Sequence, residues 1–158
     1  MIRWLSTALA LELLLSPINA LANASGPVRV IDGDTLDVAG VRVRLLGVDA
    51  PEGKQSCVRD GVPWLCGQEA GKALREWIAS ATVSCIEQNR DRYGRSVSVC
   101  SMPDGSDVGE WLVSNGYAVA YRQYSKRYVA AELAAQETKR GLWAGSFQMP
   151  WEWRRRRP

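Results

Sequence analysis

Short apolar runs separated by glycine turns fill the first part of this chain, and they constrain its fold more than any other feature. Residues 28–31 and 35–38 are β-type runs on either side of Asp32-Gly33-Asp34. After the Ala39-Gly40 turn, residues 41–46 alternate between apolar side chains and arginines. Alternation of this kind is typical of a strand with one buried face. The sequence therefore predicts three short strands before any helix.

A helix and a hairpin come next. Apolar residues recur at helical spacing over residues 68–80, which predicts an amphipathic helix. Residues 82–88 and 95–102 then read as two strands joined by a turn at residues 91–94. The chain thus supplies five short strands with one helix between the third and the fourth.

Two further helices are predicted in the last third of the chain. Ser106 can cap the first of them, which ends at Gly116. Ser125 can cap the second, which runs to Arg140. The expected fold class is α+β, mainly β: a closed, five-stranded OB-type barrel with three helices packed on it.

The four cysteines indicate an oxidising compartment, where disulfides persist. Four cysteines allow three pairings. If the first and last residues of the 91–94 turn face one another, antiparallel counting sets Cys85 opposite Cys100. Cys57 and Cys66 then close a short loop rich in turn-forming residues. A zinc site is the alternative interpretation, but the cysteines lack CxxC spacing and the chain has no histidine.

The start of the chain has the order of a signal peptide over residues 1–24. Arg3 is followed by a mostly apolar stretch and by Ala22-Asn23-Ala24, although a cut after Ala20 is also possible. The stretch is too short and too interrupted for a membrane span. We expect a mature domain over residues 25–146, periplasmic or secreted and monomeric.

Residues 147–158 form a separate tail rich in tryptophan and arginine. The net charge of the chain is +3, and four positive charges come from Arg154–Arg157, so the rest of the chain is slightly negative. Affinity for phosphate must therefore come from locally placed arginines and a metal ion rather than from bulk charge. We interpret the tail as solvated, since short terminal charge blocks usually are; contact with a polyanion or an anionic lipid is the alternative.

Carboxylates at two strand ends carry the chemistry. Without histidine, the chain cannot use a Ser-His-Asp triad or a histidine-ligated zinc. Asp34, Asp49 and the backbone carbonyl of Ala50 can supply oxygen ligands from two neighbouring strand ends, which is what a hard cation such as calcium prefers. Taken alone, Asp32-Gly33-Asp34 would be an ordinary turn; the second acidic cluster changes that interpretation.

Two arginines and one more carboxylate complete the predicted site. Guanidinium groups match the charge that accumulates on the oxygens of a phosphoryl transition state, and Arg44 and Arg95 can supply them. Glu52 is the expected general base, or the group that orients water, because a nearby cation makes water more acidic.

Several separated motifs resemble those of the thermonuclease, or staphylococcal-nuclease-like, family. In chain order they are Val30–Thr35, Arg44–Glu52, Gly67–Ala70, Asp91–Arg95 and Gly141–Trp143. The resemblance covers about residues 27 to 145 and leaves the Trp- and Arg-rich tail outside it.

The resemblance implies an OB barrel with three helices and a calcium-dependent enzyme that cleaves DNA and RNA to leave 3′-phosphate ends. The catalytic residues by motif match are Arg44, Glu52 and Arg95. The calcium ligands by the same match are Asp34, Asp49 and the carbonyl of Ala50, a position commonly held by threonine in the family. Tyr93 and Tyr121 match residues that pack near the nucleotide. The alternative is an OB module that binds nucleic acid or protein without catalysis, since the barrel is widely used for binding.

Overall fold

The computed structural model describes residues 23–156. The predicted signal peptide lies outside the described residues up to residue 22. Its last residue, Ala24, is buried at 5 % exposure and pairs with Cys85. A cut after Ala20 would therefore keep the first strand whole, whereas a cut after Ala24 would remove its first residue.

The core of the fold is the expected closed five-stranded barrel. Its strands are β1 (Ala24–Val30), β2 (Thr35–Val38), β3 (Val41–Leu45), β7 (Thr82–Arg90) and β8 (Ser96–Ser101). They follow the order β1-β2-β3-β8-β7 around the barrel. All neighbours are antiparallel except β3 and β8, which run parallel. The α+β fold class and the OB architecture predicted from the sequence are confirmed.

Four shorter strands form two small pairs outside the barrel. They are β4 (Val48–Asp49), β5 (Cys57–Arg59), β6 (Val62–Trp64) and β9 (Val119–Ala120). Strand β4 pairs with β9, and β5 pairs with β6. The β4–β9 pair brings the Asp49 segment beside the region that leads into Tyr121.

The described residues contain the three expected helices and a fourth. They are α1 (Cys66–Ile78), α2 (Val108–Ser114), α3 (Val129–Glu137) and α4 (Pro150–Arg156), with a 3-10 turn at Gly141–Ala144 between the last two. Within residues 23–156, no helix is both long and apolar enough to cross a membrane.

The helix boundaries differ from the predicted ones for local reasons. Asp107, not Ser106, caps α2, because its Oδ1 accepts a hydrogen bond from the backbone N–H of Glu110 (3.0 Å). The Ser125 hydroxyl accepts from the N–H of Arg127 instead of capping α3. Helix α3 ends at Glu137, and Lys139 has a left-handed backbone (φ 51°). The third helix is therefore shorter than predicted.

The two expected disulfides are present. Cys85 lies directly opposite Cys100 in the register of β7 and β8. Cys57 and Cys66 join the β5–β6 hairpin to the start of α1. The first bridge belongs to the barrel core, and the second belongs to a separate apolar cluster with Val119.

The C-terminal segment differs from the solvated tail expected from its charge. Met149 and Trp151 pack against the cluster of Cys57 and Cys66, and Pro150 is buried. The apolar residues just before the arginine run outweigh the preference of the charged residues for solvent. Burial of the apolar residues holds α4 against the domain, which places Arg154 beside Asp49 and Glu52.

Candidate functional site

The two acidic loops predicted to form a site lie in contact. The backbone N–H of Ala50 donates to Asp34 Oδ2 at 2.8 Å. Gly33 allows this approach, since a Cβ atom there would lie only 2.6 Å from the Ala50 Cβ. The glycine of the Asp32-Gly33-Asp34 turn thus serves close packing of one loop on the other.

Arg44 joins the two aspartates. It lies on β3 opposite Thr35 of β2, so its side chain starts next to the Asp34 turn. One of its terminal nitrogens pairs with Asp34, and the other donates to Asp49 Oδ1 at 3.0 Å. The Asp49 side chain is fully buried and that of Arg44 is 15 % exposed. Buried carboxylates of this kind need a cationic partner, and Arg44 is that partner for both.

The pKa of Arg44 depends on its burial and on the charged groups around it. Burial lowers the pKa of Arg44, and the charge and hydrogen bond of Asp49 oppose that effect. The positive charge of Arg95 lowers the pKa of Arg44 further. The two guanidinium groups predicted to bind one phosphate therefore interact electrostatically.

Glu52 is held by its backbone at the edge of this cluster. Its N–H donates to Gln55 Oε1 (3.2 Å), and its carbonyl accepts from the Gln55 N–H (2.7 Å). Helix α1 packs directly on this loop, since a Cβ atom at Gly67 would lie 1.8 Å from the Glu52 carbonyl oxygen. The Glu52 side chain remains 36 % exposed, which leaves it accessible to solvent.

Arg95 is held by Asp91, at the other end of the β7–β8 turn. The Arg95 Nε donates to Asp91 Oδ2 at 2.6 Å, and its backbone N–H donates to Asp91 Oδ1 at 3.0 Å. Burial alone would raise the pKa of Asp91, but these hydrogen bonds and one from the Tyr93 N–H outweigh it, so the pKa of Asp91 lies below its ordinary value. Asp91 was assigned only a turn position from the sequence; its second role is to orient Arg95.

Arg154 from α4 enters the same cluster, which the sequence did not indicate. Its Nη1 donates to Asp49 Oδ1 (2.9 Å) and Glu52 Oε1 (2.8 Å), and its Nη2 donates to Asp49 Oδ2 (3.0 Å). Burial opposes the charged form of Arg154, but hydrogen bonds to Asp49 and Glu52 raise its pKa above the ordinary value. The signal available in the sequence was the group of apolar residues that comes shortly before the arginine run: Phe147, Met149, Pro150 and Trp151.

The two tyrosines predicted to contact the nucleotide have different surroundings. Tyr93 is 68 % exposed, and the guanidinium groups of Arg92 and Arg95 lie 4.8 and 5.6 Å from its ring centroid. Tyr121 is half-buried, and Trp151 of α4 stacks on its ring with centroids 5.4 Å apart. The Tyr93 ring is thus exposed to solvent beside two guanidinium groups, whereas the Tyr121 ring is stacked on Trp151 and has an edge contact with Tyr124.

An open groove runs past α4 on the side of Tyr121. Its lining is mostly basic and aromatic and consists of Arg92, Tyr121, Arg122, Trp151, Arg154 and Arg155, together with Ala120 and Gln123. Arg154, which contacts the carboxylates of Asp49 and Glu52, is part of this lining. An extended polyanion matches a groove with this composition.

The donor set of the cluster fits calcium in its chemistry. Asp34, Asp49 and the Ala50 carbonyl offer hard oxygen ligands, and negative charge converges where the guanidiniums of Arg44 and Arg154 now lie. Within residues 23–156, no three acidic, cysteine or histidine side chains are arranged as a ready metal site. A cation here would have to share Asp49 with the arginines or displace one of them.

A family model described as "Staphylococcal nuclease homologue" matches residues 42–145, about two thirds of the chain. The match includes Arg44, Asp49, Glu52 and Arg95 and ends before α4.

Relatives with different names are similar to this chain over most of its length. A succinoglycan biosynthesis protein, ExoI, of Rhizobium meliloti (strain 1021) is 39% identical over 144 residues, 89% of this chain and 75% of its own. An uncharacterized endonuclease of Escherichia coli O157:H7 is 37% identical over 137 residues, 82% of this chain and 84% of its own. A micrococcal nuclease of Shigella flexneri is 34% identical over 172 residues, 95% of this chain and 91% of its own.

Proposed function

The chain belongs to the staphylococcal nuclease family, and from that premise we propose that it is an exported, calcium-dependent nuclease. Its substrates are DNA and RNA, and it leaves 3′-phosphate ends. The relatives named as nucleases support the phosphodiester substrate, and the two disulfides support a periplasmic or secreted location.

One observation carries the proposal: Arg44 ties Asp34 and Asp49 into a single cluster, beside Glu52 and within electrostatic reach of Arg95. Phosphodiester hydrolysis needs both kinds of group in one place. Carboxylates can activate water and hold a cation, and guanidinium groups stabilise the negative charge that develops on the phosphate oxygens.

The arginines, Glu52 and the oxygen ligands have different roles in the proposed reaction. Arg44 and Arg95 bind the phosphate and stabilise the charge that develops on its oxygens, with Asp91 and Asp49 holding the two guanidiniums in place. Glu52 accepts a proton from the attacking water, for which its side chain is sufficiently exposed. Asp34, Asp49 and the Ala50 carbonyl would hold calcium, which supplies positive charge beside the phosphate and makes water more acidic.

The substrate strand lies along the basic side chains of the groove that do not belong to α4, Arg92 and Arg122, beside Tyr121. Tyr93 stacks on a base with its exposed ring, flanked by Arg92 and Arg95. Tyr121 contributes the part of its ring that Trp151 and Tyr124 do not cover. Stacking without reading of base edges favours single-stranded or locally melted regions and little sequence preference.

The test is nuclease activity on plasmid DNA and RNA with calcium and with EDTA, for the wild type and two variants. Arg95→Ala should reduce turnover by about 10²–10³, the usual effect of removing one transition-state donor. Glu52→Gln should reduce it by about 10²–10⁴, the usual contribution of a general base. Thermal unfolding should change little, since both side chains are partly exposed.

Matched controls on the same protein are Arg42→Ala and Glu76→Gln, at exposed positions outside the cluster. Both should keep full activity. Full turnover in Arg95→Ala or Glu52→Gln, or activity that persists in EDTA, would contradict the assigned roles. Tight binding of single strands with no cleavage by the wild type would favour the binding-module alternative.

A further inference from the structure

We propose that α4 is a built-in plug of the active site: Arg154 occupies the carboxylates of Asp49 and Glu52, and calcium must displace it to bind. The inference rests on the proposed function, because it concerns access to the same carboxylates. It gives a role to the C-terminal segment, which lies beyond the residues matched by the family model.

The contacts of Arg154 are those of an internal cation. Its guanidinium donates to both oxygens of Asp49 and to one oxygen of Glu52, with all three distances between 2.8 and 3.0 Å. A bidentate pair of this kind is among the stronger charge-assisted interactions. It uses the lone pairs that the proposed metal ligand and the proposed base would need for catalysis.

The helix that carries Arg154 is fastened on one side to the same loop that carries Glu52. Gln55, which is fully buried, donates through Nε2 to the Gln148 carbonyl at 2.7 Å, and its Oε1 accepts from the Glu52 N–H. On the other side, the Trp151 ring is nearly parallel to that of Tyr121, at an interplanar angle of 3°. The guanidinium is therefore aimed at the carboxylates by two independent attachments.

The plug is nevertheless built to be removable. The Arg154 side chain is 37 % exposed, whereas that of Arg44 is 15 % exposed. Helix α4 is a short element of seven residues and follows directly on the packed segment 147–149. Release of α4 leaves the barrel ladders intact, because α4 takes no part in them.

Charge explains why a cation would replace it. The carboxylates of Asp34, Asp49 and Glu52 carry more negative charge than Arg44 alone can balance. Arg154 reduces this excess by one unit charge. Calcium brings two charges to the same oxygens, so binding of the ion and docking of Arg154 exclude one another at Asp49. Two ligands that compete for one group weaken each other reciprocally.

The experiment measures calcium affinity, not activity. Isothermal titration of calcium chloride into the metal-free protein compares wild type with Arg154→Gln and with Arg156→Gln, an exposed arginine of the same helix. Arg154→Gln should bind calcium between about 5-fold and 150-fold more tightly, the range usual for coupled sites. Arg156→Gln should bind as the wild type does.

Two further variants keep the test independent of one substitution. Arg154→Lys retains the charge but loses the bidentate geometry, so its affinity for calcium should fall between those of wild type and Arg154→Gln. Trp151→Ala removes the stack on Tyr121 and should also tighten calcium binding, although Arg154 is unchanged. In wild type, calcium should speed amide hydrogen exchange in residues 150–156 and leave exchange in the barrel strands as it was.

The outcomes separate the two proposals. Equal calcium affinity in wild type, Arg154→Gln and Trp151→Ala would overturn the plug and leave the nuclease proposal standing. Calcium that slows exchange in residues 150–156 would also overturn the plug, because Arg154 would then belong to the loaded site. Absence of calcium binding in all variants would overturn the calcium assignment on which both proposals depend.

Discussion

Asp49 accepts hydrogen bonds from two guanidinium groups that reach it by different routes. Arg44 comes from the same stretch of chain, five residues earlier, on a barrel strand whose position is fixed by its neighbours. Arg154 comes from 105 residues later, on a short helix outside the barrel. One buried carboxylate can therefore have two cationic partners: a permanent one on a barrel strand and a removable one on a helix outside the barrel.

The largest expected effect is the loss of the permanent partner. Arg44→Ala leaves the buried side chain of Asp34 without its cation and that of Asp49 with Arg154 alone, so the free energy of unfolding should fall by about 3–5 kcal/mol. Urea denaturation measures this. Arg42→Ala, at an exposed position of the same strand, should change it by less than about 0.5 kcal/mol. A loss from Arg44→Ala as small as that of the control would mean that Arg154 can replace Arg44.

A second test weakens the apolar cluster that holds α4, and with it Arg154, against the domain. Replacing Cys57 and Cys66 by serine opens the bridge in the cluster on which Met149 and Trp151 pack. Stability should fall by about 2–3 kcal/mol. Amide protection should drop first in residues 150–156.

The matching change in the barrel gives the control. Replacing Cys85 and Cys100 by serine should cost a similar amount, but protection should fall in β7 and β8 instead. If both double variants loosen the same residues, α4 and the barrel do not unfold separately.

The smallest effect concerns the third guanidinium, that of Arg95, whose partner is only four residues away. The pKa of Asp91 is lowered in the folded protein, so its contribution to stability is complete above the ordinary carboxyl value of 3.8 and is lost as pH falls through the lowered pKa. A partly exposed pair of this kind contributes about 0.2–1 kcal/mol. Asp91→Asn should therefore weaken the fall in stability below about pH 4.

Thermal unfolding between pH 2 and pH 6 checks this prediction. Asp60→Asn, at an exposed turn of the β5–β6 hairpin, serves as its control and should leave the pH dependence unchanged. A pH profile of Asp91→Asn that coincides with that of wild type would show that Asp91 does not hold Arg95 in solution.

Most of the barrel could be predicted from the sequence because its determinants are local. Alternation in residues 41–45 sets the faces of β3. Counting from residues 91 and 94 places Cys85 opposite Cys100, but the register next to the turn is one residue away from that count, and a bulge between Glu87 and Asn89 restores it. The helix ends were harder to predict, since Ser106 and Asp107 are both good caps and only the chain geometry selects Asp107.

The part of the site that the sequence did not indicate depends on long-range packing. The position of Arg154 follows from burial of Met149 and Trp151 against a cluster assembled from distant segments. No spacing rule connects residue 154 with residue 49. The roles of Asp91 and Gln55 were missed for a related reason: each acts by orienting a neighbour, and neither belongs to a motif with a chemical signature.

The seam that closes the barrel has a consequence for how the chain folds. Residues 24–27 of β1 pair with residues 82–85 of β7, so this pairing must close a loop of more than fifty residues. Until then one edge of the growing sheet stays open, and closure requires a non-local contact, which folds slowly. The hairpin of β1 and β2 can form early, whereas the barrel is completed only when β7 pairs with β1.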